Sequence, residues 1–173
     1  MKAKATPIDN ELVMREDDFI VSKTDLKGIL TYCNRTFMEF AKYEESELLG
    51  QPHNIIRHPD MPRVIFKLLW DTIQSKKEIN AYVKNMASDG SYYWVFANVT
   101  PVLNDVGEIV GYYSVRRKPE PESLQKVKKL YSELLSEEKK YANKKEGLQA
   151  SEKMLQNILK EQGKSYEEFI FSL

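Results

Sequence analysis

Phe19 to Lys23 alternates apolar and polar side chains, as a half-buried strand does. Asp25-Leu26-Lys27-Gly28 follows as a turn, and Ile29 to Tyr32 resumes a strand, so the stretch predicts a hairpin. The period then changes. Asn34 suits a helix N-cap, and Phe37, Phe40 and Ala41 form one apolar helical stripe. Glu44 to Leu49 predicts a second short helix, ended by Gly50. Gln51 to Pro62 holds three prolines and both histidines, and reads as a structured loop with one helical turn. Pro62 fits the first turn of a longer helix to about Ser75, with Val64, Ile65, Leu68, Leu69, Thr72 and Ile73 on one face. Alternation returns from Ile79 to Ala87, placing Ile79, Ala81, Val83 and Asn85 on one side. Asp89-Gly90 is a tight-turn signal, Tyr92 to Val102 a long strand, Asn104 to Gly107 a second turn, and Ile109 to Arg117 a last strand.

Strands at both ends of a segment, with helices between, predict an α+β domain: a five-stranded antiparallel sheet with helices on one face. A cavity between that helical wall and the sheet is a natural ligand site. The chain changes character at Lys118-Pro119-Glu120-Pro121. Glycine and proline almost vanish beyond it, and residues 120–173 carry ten lysines and ten glutamates with no aspartate or arginine. The reading is a domain over 15–119 and a helical C-terminal extension over 120–173, for dimerisation or receptor docking. In the extension Glu122 to Lys145 predicts one helix, interrupted near Gly147. Gln149 to Glu161 predicts a second, and Tyr166 to Leu173 a short amphipathic end. Neither apolar stripe sustains three or four heptads, so no long coiled coil is indicated. A solvated helix laid on its own domain remains the alternative to a docking element.

Composition narrows the functions. With 173 residues, 42% hydrophobic and 30% charged, the chain has the apolar content for one buried core. Twenty-six basic and twenty-six acidic residues cancel, which gives no electrostatic footprint for nucleic acid. Cys33 is the sole cysteine, so an internal disulfide and a cysteine zinc site are excluded, and a reduced cytoplasmic setting fits. Met1 to Thr6 carries two lysines, but no apolar run follows, and no stretch approaches a bilayer span. The expectation is a soluble cytoplasmic protein with no direct membrane insertion. It would reach the inner membrane only through a partner. No glycine-rich phosphate loop, nucleophile elbow or paired-histidine metal motif is present, which argues against an enzyme.

The residues that carry specific information are Thr24-Asp25-Leu26, Gly50-Gln51-Pro52-His53-Asn54, Ile56-Arg57-His58-Pro59-Asp60-Met61-Pro62, Val83-Lys84-Asn85, Tyr93-Trp94-Val95, Gly111-Tyr112 and Ser114-Val115-Arg116. In these stretches residues 15–119 resemble a PAS domain of the flavin-binding type found in bacterial aerotaxis receptors. The Arg57 to Pro62 run is the most specific of them. The resemblance implies non-covalent FAD, no substrate turnover, and a redox signal for energy taxis. It associates Asn34, Arg57, His58, Asp60 and Asn85 with flavin binding, and adds His53, Trp70 and Tyr93 around the pocket. Where the family carries a tryptophan before the Val-Lys-Asn strand, this chain has Ile79, which is apolar but cannot stack on a flavin.

Each of these residues also has a plain structural role open to it. Asn34 suits a cap, Arg57 with Asp60 an ion pair, His58 a loop hydrogen bond, and Trp70 and Tyr93 the core. An inward Asn85 is harder to explain so, because a buried amide needs partners. The resemblance implies a membrane-bound chemotaxis receptor or signalling protein as a separate partner, with a homodimer also open. Two alternatives stand beside FAD: a haem-binding gas sensor with His53 or His58 as axial ligand, and a cofactor-free adaptor.

Overall fold

The computed structural model describes residues 5–173. Met1 to Lys4, with the two N-terminal lysines, lie outside the described residues. Five strands form one antiparallel sheet: β1 (Ile20–Thr24), β2 (Leu30–Cys33), β3 (Ile79–Met86), β4 (Tyr92–Leu103) and β5 (Ile109–Arg117), in the order β2-β1-β5-β4-β3. The central β4 and β5 pair along almost their full length. Alternation sets the faces, so Ala81, Val83 and Asn85 of β3, Ala97 and Val99 of β4, and Tyr112, Ser114 and Arg116 of β5 share the inner one.

The helical wall follows the sequence reading closely. It comprises α1 (Arg35–Ala41), α2 (Glu45–Leu48), a single 3₁₀ turn His53–Ile56, and α3 (Arg63–Gln74), which buries Val64, Ile65 and Ile73 against the sheet. The side-chain oxygen of Asn34 caps α1 by accepting from the Phe37 N–H at 3.0 Å. The same oxygen accepts from the Val21 N–H at 3.0 Å, and the Asn34 amide donates to the Phe19 carbonyl at 2.8 Å. One side chain thus joins α1 to the start of β1.

Ahead of β1, residues 8–14 run along the start of β4. The Leu12 N–H donates to the Tyr92 carbonyl at 2.7 Å, the Tyr92 N–H to the Asn10 carbonyl at 3.0 Å, and Met14 is buried. This strap has no alternation to announce it. Gly90 accommodates it twice over: it sits at φ 92°, and a Cβ there would lie 2.1 Å from the Thr6 carbonyl oxygen.

The extension forms three helices, α4 (Pro121–Lys139), α5 (Lys144–Glu161) and α6 (Tyr166–Phe171). The single helix expected to Lys145 instead breaks at residues 140–143, where the Asn143 side chain caps α5 by accepting from the Lys145 N–H at 2.8 Å. Gly147 lies inside α5, not at an interruption. It is there because α4 passes so close that a Cβ would sit 2.5 Å from the Glu138 carbonyl oxygen. All three helices pack on their own domain. Leu124, Val127, Tyr131 and Leu134 of α4 are buried, and the Tyr131 hydroxyl donates to the Tyr82 carbonyl at 2.7 Å. Phe171 of α6 meets Phe96 edge-on at 5.9 Å, on the outer face of the sheet. Among the described residues no helix is long and apolar enough to cross a membrane.

Candidate functional site

A cavity of about 430 Å³ lies between the inner face of the sheet and α3, within the size range of small-molecule and cofactor sites. Its wall is largely apolar: Ile56, Phe66, Leu69, Trp70 and Ile73 on one side, Val83, Ala97 and Val99 on the other. Leu148 of α5 contributes from the extension. Lys27, which is exposed, and Arg57, Arg63 and Lys67, which are half-buried, also line it, so the cationic side is the open side.

Four of the eight residues singled out from the sequence meet here. Asn85 points inward from β3, lines the cavity and is 4% exposed. Arg57 follows the 3₁₀ turn, and its guanidinium lies over the Phe66 ring at 4.0 Å. Trp70 meets Tyr112 edge-on at 5.5 Å. Its ring also packs on Gly28, where a Cβ would come within 3.1 Å and where φ is 76°. His53 stands on the 3₁₀ turn with its ring parallel to Phe37 at 6.0 Å. Its Nε2 lies 3.1 Å from Arg116 Nη2 and 3.3 Å from Ser22 Oγ. A guanidinium only donates, so Nε2 is the acceptor and the ring proton sits on Nδ1. Burial, reinforced by the Arg116 charge, lowers the imidazole from 6.5 to about 3, so His53 is neutral.

The other four lie outside the cavity lining. Asn34 is engaged at the α1 cap. His58 is buried, its Nδ1 accepts from the Asp60 N–H at 3.1 Å, and its ring meets Tyr92 edge-on at 6.0 Å. Asp60 pairs with Lys84 at 2.9 Å and not with Arg57. The Lys84 ammonium lies in turn over Tyr92, 4.3 Å from the ring centroid. Tyr93 is fully buried against Phe40 at 5.4 Å, with an unpartnered hydroxyl whose pKa burial raises. His58 and Asp60 brace the loop that presents Arg57, and Tyr93 packs beneath the wall.

The residue absent from that set is Arg116. It is 2% exposed and points inward from β5. Its Nε donates to Ser114 Oγ at 3.0 Å, and its Nη2 donates to Ser22 Oγ and to His53 Nε2. Nη1 has no partner. Phe37 lies beneath the guanidinium at 5.0 Å, and no described carboxylate pairs with it. Burial lowers its pKa from 12.5 to about 10, so the group stays charged at neutral pH. A charge at an inward position of a core strand was the sequence signal for it. An uncompensated buried cation costs several kcal/mol, and an anionic or electron-rich guest would offset that cost. The site therefore suits a mostly apolar ligand that also carries polar and anionic groups. Among the described residues no cluster of His, Cys, Asp or Glu is arranged to hold a metal ion.

Comparison with known proteins agrees with this architecture. The family described as PAS fold matches residues 30–116, and the chain belongs to it. Among individual proteins, the aerotaxis receptor of Escherichia coli K12 is 39% identical over 121 residues, 70% of this chain and 24% of the receptor. The nitrogen fixation regulatory protein of Klebsiella pneumoniae is 32% identical over 97 residues, 56% of this chain and 20% of that protein. The chain thus spans about a quarter or less of the length of these relatives. Among solved structures, a light-oxygen-voltage domain studied with a flavin analogue aligns with TM-score 0.57 at 19% identity, covering 64% of this chain and 84% of that one. The dark-state LOV domain of the photoreceptor Aureochrome1 aligns with TM-score 0.54 at 22% identity, covering 70% and 84%.

Proposed function

We propose that this PAS domain holds FAD in the cavity and serves as a redox or energy sensor, whose state is read by a membrane-bound chemotaxis receptor in a separate chain. The observation that carries the reading is the buried, unpaired charge of Arg116 facing a cavity that the buried amide of Asn85 also lines. A bound flavin would supply reversible electron uptake. Asn85 both donates and accepts, and would hold the pyrimidine edge. Arg116 would favour the more electron-rich form of the ring, since a positive charge in a low-dielectric site stabilises negative charge. Arg57 and Lys27, on the open side, would hold the pyrophosphate. The E. coli relative is an aerotaxis receptor, and one structural neighbour is a domain studied with a flavin analogue. The first supports a role in aerotaxis and the second supports the flavin.

Haem needs a free imidazole nitrogen in the cavity. His53 Nε2 is engaged by Arg116 and Ser22, and His58 does not line the cavity. A cofactor-free adaptor leaves the Arg116 charge uncompensated. The test is the visible spectrum of the purified full chain before and after addition of FAD. A flavin spectrum at one equivalent per chain is expected. A chain that stays colourless after FAD is added overturns the reading, and a Soret band in place of the flavin spectrum would replace it with haem. In Asn85→Ala, flavin retention should fall while the unfolding free energy of the ligand-free protein stays within about 1 kcal/mol. Unchanged stoichiometry would remove Asn85 from the site.

A further inference from the structure

The extension is part of the cavity wall and also its neighbour in charge. Leu148 of α5 lines the cavity, and so do two cations on α3 that the extension grips. Arg63 Nε lies 3.2 Å from Glu138 Oε2 of α4, and Lys67 Nζ lies 2.9 Å from Glu152 Oε1 of α5. Glu138 is only 4% exposed, rare for a carboxylate. Its Oε1 accepts from the Val64 N–H, in the first turn of α3, and from the Ser151 hydroxyl of α5, both at 3.1 Å. Its charge is also felt at Arg57. One buried carboxylate therefore joins α3, α4 and α5.

Both cations are reachable from the open side, with side chains 34% and 37% exposed. Each also has an alternative to the extension. Lys67 holds Asp71 at 2.6 Å, and Glu138 would keep the Val64 N–H and Ser151 if Arg63 turned away. We infer that the extension and an anionic ligand of the cavity compete for Arg63 and Lys67, so that loading the cavity loosens α5 from α3. By reciprocity the docked extension weakens the ligand by the same factor. The ligand's identity as a flavin dinucleotide rests on the proposed function. The competition itself needs only an anion on the cationic side.

The test is hydrogen–deuterium exchange on the full chain, with FAD and, separately, inorganic pyrophosphate as probes. Saturation with either should speed amide exchange in α5 by about fivefold or more while β4 and β5 stay protected. The Glu138→Gln/Glu152→Gln double variant should show the fast α5 exchange without any probe and bind the probe about fivefold or more tightly. If it does not fold, Ser151→Ala, which removes one bond to Glu138, should shift both quantities less and in the same direction. Binding of FAD with α5 exchange unchanged or slowed overturns the competition and leaves the flavin reading intact. Binding and loosening by pyrophosphate alone does the reverse. Failure of both probes to bind overturns both.

Discussion

Arg116 sets the chemistry of the cavity because its charge has nowhere else to go. Its three hydrogen bonds to Ser114, Ser22 and His53 are to neutral groups. Replacing it with methionine forfeits those bonds, each worth about 1 to 3 kcal/mol, but removes a desolvation cost of several kcal/mol. We expect ligand-free Arg116→Met to unfold in urea within about 1 kcal/mol of the parent, or above it, and to bind FAD about tenfold or more weakly. A drop in ligand-free stability beyond about 2 kcal/mol would mean the charge is compensated after all. His53 gives a pH signature. Its pKa is lowered on folding from 6.5 to about 3, so between those values the unfolded chain holds a proton that the folded chain does not. Stability therefore falls as the pH falls, by up to about 1.4 kcal/mol per pH unit. Between pH 6.5 and 5, above the carboxylate range, the parent should lose about 1.5 to 2 kcal/mol more than His53→Gln, measured by urea unfolding at both pH values. Glutamine keeps an acceptor for Arg116 and cannot take up the proton. Equal losses in the two proteins would mean that imidazole is not neutral and buried in the fold.

At the scale of elements, Asn34 shows how much one polar side chain does when it meets three backbone groups. Asn34→Ala removes the α1 cap and strands the Val21 N–H. We expect a loss of about 2 to 3 kcal/mol, with Asn34→Asp intermediate, because it keeps both accepted bonds and loses the one donated to Phe19. Equal stability of all three forms in urea would remove the joint between α1 and β1. The cap was legible because asparagine stands just before a helical stripe. The strands were legible for the same kind of reason: on β3 and β4, period-two alternation sorts Val83 from Lys84 and Ala97 from Phe96 without further information. The strap over residues 8–14 was not, since its pairing with Tyr92 runs through backbone groups and through single contacts from the Tyr92 hydroxyl to Asp9 and Glu11, which leave no period in the side chains. The α4–α5 break was misplaced because lysine and glutamate favour helix throughout, and the glycine that looks like a breaker is a contact. Arg116 was legible in principle. Alternation on β5 puts it on the face of Tyr112 and Ser114, but that its charge lacks a partner depends on every element facing it.

At the scale of the molecule, the question is whether the extension is a passenger or a component of the domain, and Gly147 decides it. In an isolated helix Gly→Ala is favourable by about 1 kcal/mol. Inside α5 the added Cβ would lie 2.5 Å from the Glu138 carbonyl oxygen, with the Glu138 Cα and carbonyl carbon also within 3.4 Å. These are backbone atoms of α4, so no side-chain rotation relieves the contact and the two helices must part. Overpacking of this kind costs about 1 to 3 kcal/mol. In this chain it also displaces Glu138, the carboxylate that holds Arg63, Val64 and Ser151 together. The sum is unfavourable: Gly147→Ala should lose about 1 to 2 kcal/mol in urea unfolding. Its amide exchange should rise along α5 and at the start of α3, while β4 and β5 remain protected. Faster exchange along α5 with the start of α3 unchanged would mean that the extension merely rests on the domain, and a gain in stability would mean that α4 and α5 do not meet, since helix propensity would then act alone.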